Sequence, residues 1–117
     1  MRTIKFRAWD AESKKMFSAQ DLSQARIYWD WLGLKDVKLM QYTGLKDKNG
    51  KEIYEGDIIM SIYGTGHVVY HERKALFGHE VKGSYGEFVF IEIYRNIQET
   101  EVIGNIYENP ELQEQEK

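Results

Sequence analysis

Eight of the ten glycines in this 117-residue chain fall between Gly44 and Gly86. Glycine weakens helices and adopts φ > 0 without a Cβ clash, so this spacing cuts the second half of the chain into pieces too short for ordinary helices. The runs between and around the glycines are apolar, β-branched and aromatic: "VKLMQY", "IIMSIY", "HVVYHE", "EFVFIEIY" and "TEVIGNIY". Such residues fit a pleated, half-buried surface. Short strands separated by frequent turns predict a mainly β fold, a barrel or roll of short, strongly bent antiparallel strands.

The densest punctuation is "QYTGLKDKNGKEIYEGDII", Gln41 to Ile59. Asn49-Gly50 predicts a two-residue type I′ hairpin, because both residues tolerate φ > 0. Gly44 and Gly56 are predicted to permit bends where a Cβ would clash. Asp57 is placed to accept a hydrogen bond from a nearby backbone N–H and hold the turn before "IIMSI". Ile53, Ile58 and Met60 are then the expected core residues. Asp47, Glu52, Glu55 and Asp57 read as solvated turn carboxylates. A calcium loop starting at Asp47 fails, since its closing twelfth position is Ile58 rather than Glu.

The first half is less regular. "IKFRAWD" alternates Ile4, Phe6 and Ala8 against Lys5, Arg7 and Trp9, the period of a half-buried strand. Met16 and Phe17 begin a return strand. Ser18 with Asp21 resembles a capping box, and Leu22, Ala25, Trp29 and Leu32 share a helical face that Gly33 would close. "IYWDWL" favours strand instead, so residues 18–32 hold one short helix of undecided extent.

The length suits a single domain, here residues 1–110, followed by an acidic tail at 111–117 that frays or forms a weak helix. With no Cys there is no disulfide framework, zinc ribbon or thiol nucleophile, which fits a reducing cytoplasm. No run approaches the ~18 apolar residues of a membrane span, and the N-terminus lacks a signal-peptide apolar core. A formal charge of −3 disfavours nonspecific nucleic-acid binding, which relies on neutralising phosphates.

Three blocks, "MRTIKFRAWD", "LMQYTGLKDKNGKEIYEGDII" and "VIGNIYENPEL", occur in the order found in the YopX-like family of phage and prophage proteins, which this chain resembles. The resemblance implies a mainly β, SH3-like barrel or roll, a phage or prophage origin and a bacterial cytoplasmic setting. It carries no catalytic residues and no cofactor. The positions that match are Arg7, Trp9, Gln41, Tyr42, Thr43, Gly44, Asp47, Gly50, Tyr54, Gly56, Asp57, Gly104 and Asn105.

Other constellations are weak. His67 and His71 share a strand face about 13 Å apart, too far to form a zinc site by themselves. With His79 they read as surface or edge histidines. "GTG" at residues 64–66 lacks the phosphate-loop patterns and reads as a hairpin turn. Trp9, Trp29, Trp31, Tyr42 and Tyr54 are the candidate binding face, although such aromatics fill cores and interfaces equally well. "FVFIEIY" is apolar on both faces, which predicts a central strand or a face covered by a partner chain. The sequence therefore points to a non-enzymatic binding or assembly module with protein partners, including a homo-oligomer. One alternative is a nucleic-acid-binding module using Lys5, Arg7, Lys46, Lys48 and Lys51. Another is a small metal-dependent enzyme using the histidines.

Overall fold

A computed structural model describes residues 3–24, 36–83, 85–93 and 97–114. The expected mainly β fold is what the chain forms. Strand β1 (Phe6–Asp10) returns as β2 (Lys15–Phe17), and helix α1 (Ala19–Gln24) follows. Then come β3 (Val37–Lys46), β4 (Glu52–Tyr54), β5 (Asp57–Ser61), β6 (Gly64–His71), β7 (Leu76–Lys82) and β8 (Phe88–Glu92). A 3-10 turn (Ile97–Glu99), β9 (Glu101–Asn105) and a short helix α2 (Glu111–Glu114) complete the described chain. All paired strands are antiparallel, in a four-stranded sheet ordered β2-β1-β3-β4 and a five-stranded sheet ordered β8-β7-β6-β5-β9.

The capping box is real: the Ser18 N–H donates to Asp21 Oδ2 at 2.9 Å and the Asp21 N–H to Ser18 Oγ at 3.1 Å. These bonds satisfy two groups that α1 would otherwise leave open. Leu22 is the residue that α1 buries. Ala25, Trp29 and Leu32 lie outside the described residues, as does the "IYWDWL" run.

The main core gathers Ile59, Val68, Ile93 and Val102 of the larger sheet and its flanks around Ile53 of the smaller one. Ile53 and Ile58 are fully buried as expected, but Met60 is 45% exposed and Ile59 takes the interior place. The register shift of the β5–β9 pairing falls between Ile58 and Ile59, and both neighbours are buried there. In β1 the expected faces are also revised. Ile4 and Phe6 are exposed, whereas Ala8 and Trp9 are buried and Arg7 is largely covered. A buried ion pair, described below, makes room for that arginine inside.

The turns differ from expectation in detail. At Asn49-Gly50 only Gly50 has positive φ, at 81°. The Gly50 N–H donates to the Asp47 carbonyl at 3.0 Å, and the Asp47 N–H to the Lys51 carbonyl at 2.8 Å. This is a turn over residues 47–50 closed by a left-handed glycine, a three-residue hairpin loop rather than a type I′ turn. The physical reason is the Asp47 side chain, which binds the Asn49 and Lys51 amides from inside the loop at 2.8 and 2.9 Å. "GTG" is not the turn: the turn is Ile62-Tyr63, and Gly64 opens β6.

Gly44 has φ 90°, but a Cβ there would meet nothing within 4 Å, so it is required for φ and not for space. It lies in the irregular β3–β4 segment between Tyr42 and Lys46. Gly56 needs both. Its φ is 84°, and an added Cβ would lie 3.2 Å from Met40 Sδ. Its N–H donates to the Val68 carbonyl at 3.0 Å and its carbonyl accepts from the Ile106 N–H at 2.9 Å. Gly44→Ala is therefore expected to cost about 1–2 kcal/mol from the left-handed backbone alone. Gly56→Val should cost more, since a β-branched side chain adds crowding. Urea melts of the two variants check this, and equal midpoints would contradict it.

Candidate functional site

The residues that stand out in the sequence converge on the junction between the two sheets. Asp57 begins β5 with a side chain 1% exposed, and Arg7 on β1 donates to Asp57 Oδ1 at 2.6 Å with its own side chain 12% exposed. The other Asp57 oxygen accepts the Tyr54 N–H at 2.8 Å, the turn bond expected from the sequence. The Arg7 guanidinium also lies 4.8 Å from the Tyr54 ring centroid. Tyr54 packs on Tyr42, with centroids 5.5 Å apart. Burial raises the Asp57 carboxyl above the usual aspartate value, outweighing the opposing pull of Arg7 and the Tyr54 amide. Burial and Glu52 likewise push up the Tyr54 phenol.

Asp47 is the second buried hub. Besides the two hairpin amides, its Oδ2 accepts the Val102 N–H at 2.9 Å, which ties the β3–β4 hairpin to β9. The Lys48 N–H adds a bond to the Thr100 carbonyl at 2.9 Å. Burial alone would raise the Asp47 carboxyl, but the Val102, Lys51 and Asn49 amides and the Lys51 charge outweigh it. The group is held below the ordinary aspartate value. Asp47 and Asp57 are thus not the solvated turn acids that composition suggests. Each satisfies donors that a folded turn would otherwise bury unpaired. Asn105 acts similarly at the end of β9, where Oδ1 accepts the Tyr107 and Glu108 amides at 3.1 and 2.8 Å.

Of the candidate binding face, Trp9, Tyr42 and Tyr54 are all buried, and Trp9 stacks on Tyr107 at 5.8 Å. These rings fill the junction and do not present open faces. Trp29 and Trp31 lie outside the described residues. The basic stripe is largely neutralised: Lys5 pairs with Glu52, Arg7 with Asp57 and Lys48 with Glu101. Glu52 raises the Lys5 ammonium pKa. A groove of about 460 Å³ remains beside Lys5, Arg7, Lys51 and Tyr54, with Glu52 and Asp21 in the same wall.

The histidines do not converge. His67 and His71 sit on β6, and His67 faces Glu80 across the strand pair at 3.9 Å. His79 is a core residue, not a surface one. It is 2% exposed, and its Nε2 lies 2.9 Å from Ser61 Oγ. Burial lowers its pKa against an opposing effect of the Ile91 backbone. Among the described residues no group of three or more His, Asp or Glu side chains is placed to hold a metal ion.

Two features escaped the sequence reading. Strand β7 was hidden because "LFGHEVK" carries a glycine and alternates irregularly. Strand β8 is the outermost described strand of its sheet, not a central one. Phe88 is 64% exposed and Val89 39%. The two-faced apolar pattern of "FVFIEIY" was the available signal for an unusual surface.

These observations define a small two-sheet β domain whose turn motifs are architectural and whose edge strand β8 carries adjacent exposed apolar residues. The family model for YopX protein matches residues 5–114, and the chain belongs to that family. Its structure is similar to the crystal structure of protein EF1440 from Enterococcus faecalis, with TM-score 0.64 and 28% identity over 96% of this chain and 99% of that one. No curated protein matches the chain.

Asp47 has a folded-state pKa below its unfolded value, so its contribution to stability is present above about pH 4 and is lost as pH falls through the lower, folded value. Asp47→Asn should cost about 1–3 kcal/mol at neutral pH, because asparagine keeps only one acceptor oxygen and sets an NH2 group against an amide on the other side, Val102 or the hairpin pair. It should also flatten the acid side of the stability profile. Melts between pH 7 and pH 2 measure both, and a variant with the wild-type profile would show that Asp47 is not the tie.

Proposed function

We propose that the chain is a phage- or prophage-encoded, non-enzymatic binding or assembly module that works in the bacterial cytoplasm through protein–protein contacts. The observation that carries this reading is β8. Its Phe88 and Val89 are exposed on an edge where no further described strand is paired. Tyr85, just before it, is 95% exposed. Natural proteins usually blunt such edges with charge or proline, because an apolar edge templates pairing with another chain. β-strand addition is a general mode of protein recognition.

Membership of the YopX family supports the reading, as does the structural use made of the motif residues. Asp57 and Asp47 spend their carboxylate oxygens on Arg7 and backbone amides of the fold, which leaves them poorly placed for catalysis. The ion pairing of Lys5, Arg7 and Lys48 weighs against phosphate binding. No helix among the described residues is long and apolar enough to cross a membrane.

Phe88→Lys puts a charge on the edge without touching the core. The variant is expected to melt like the wild type yet lose the protein contacts of the wild type, read as a fall in solution mass or in defined partners recovered from host cells. Unchanged contacts in a folded Phe88→Lys protein would overturn the assignment to this edge.

A further inference from the structure

The occupant of the β8 edge can be specified from the pairing of β8 with β7. The Ile93 N–H donates to the Phe77 carbonyl at 3.2 Å, and the Gly83 N–H to the Glu87 carbonyl at 2.6 Å. In an antiparallel pair, main-chain groups alternate between the two sides of a strand. Odd-numbered residues of β8 therefore spend their N–H and C=O on β7, and Phe88 and Phe90 direct theirs to the outer edge.

We infer that β8 pairs antiparallel with β8 of a second copy of this chain, with Val89 on the two-fold axis. This rests on the protein-contact reading above and deepens it. Phe88 of each copy then lies opposite Phe90 of the other, and their outward main-chain groups exchange hydrogen bonds.

Side chains select this register. On β7, Lys82 is the partner of Phe88, Val81 of Val89 and Glu80 of Phe90. With Val89 on the axis, one face of the joined sheet carries a row Lys82–Phe88–Phe90–Glu80 running from one copy to the other. The symmetry-related row reads the same in reverse. An aromatic pair is thus flanked by opposite charges. The other face carries Val81–Val89–Val89–Val81, an apolar row that starts from buried Val81. A shift of one residue, with Phe90 on the axis, would set Glu80 of both copies in one row. It would also set Phe88 opposite Glu92. The two Glu80 stand three strand spacings apart, about 14 Å, and are screened from each other, so it is the acid set directly against an exposed ring that makes that register worse. A two-fold contact of this kind also closes at two copies, whereas pairing β8 to the far edge strand β9 would be head-to-tail and build larger rings or open fibres.

The chain has no cysteine, so one introduced thiol reports the axis directly. Facing residues of a non-hydrogen-bonded antiparallel pair have Cα atoms about 4.5 Å apart, within disulfide reach. Single variants Val89→Cys, Phe90→Cys and Ile91→Cys are oxidised gently, and their mass is read without reductant. Sedimentation of the wild type runs alongside. The expected result is a wild type of 27.6 kDa, twice the 13.8 kDa chain. Val89→Cys should cross-link nearly completely, at least tenfold faster than Phe90→Cys or Ile91→Cys. A wild-type dimer whose fastest cross-link is at Phe90→Cys or Ile91→Cys overturns the register. A wild type that stays a monomer at millimolar concentration overturns self-pairing. If Phe88→Lys still abolishes capture of a defined host protein in that case, the broader reading survives and this one fails.

Discussion

The fold depends on one interaction across its waist, the contact of Arg7 with Asp57. Arg7 belongs to the smaller sheet and Asp57 starts the first strand of the larger one. The same carboxylate holds the Tyr54 amide and so fixes the turn at Gly56 through which the chain passes between the sheets. Burying this pair is not a simple gain. The desolvation that raises the Asp57 carboxyl outweighs the attraction of Arg7. What the pair supplies is geometry: losing either partner would leave the other buried and uncompensated, so the contact holds β1 against the Gly56 turn and the start of β5. Tyr54 then packs against the guanidinium with Tyr42 beside it, and Asp47 repeats the device at the hairpin by tying it to Val102.

That economy separates architecture from surface. The polar and glycine residues that draw attention in the middle of the chain are consumed in satisfying buried amides and permitting left-handed turns. The aromatic residues near them complete the junction. Exposed apolar side chains remain on both sheets, Ile4 and Leu39 on or beside the smaller one and Met60 and Ile62 at β5, and on the edge strand β8 Phe88 and Val89 face solvent next to each other.

Much of the fold is legible in the sequence because local rules act alone there. The strand runs around Val37, Ile58, Val68, Phe88 and Val102 follow from β-branched and aromatic composition. The Ser18–Asp21 cap follows from a four-residue pattern. What was not legible depends on distant partners. Nothing local says that Arg7 will turn inward, since its acceptor is fifty residues away in sequence. Nothing local says that Asn49 will keep a negative φ, because the Asp47 side chain and its third bond to Val102 decide the turn. His79 looks like a surface histidine until the cross-strand neighbours bury it beside Ser61. The two-sided apolar character of β8 was visible, but sheet order, which no single segment encodes, makes it an edge.

A double-mutant cycle on Arg7 and Asp57 tests the central claim most directly. Arg7→Met and Asp57→Ala alone should each cost about 3–5 kcal/mol, since each strands a buried charge or donor. The double variant should be at least about 2 kcal/mol more stable than the sum predicts. Strict additivity, or single variants that unfold like the wild type, would mean that the two sheets are held in place by something else.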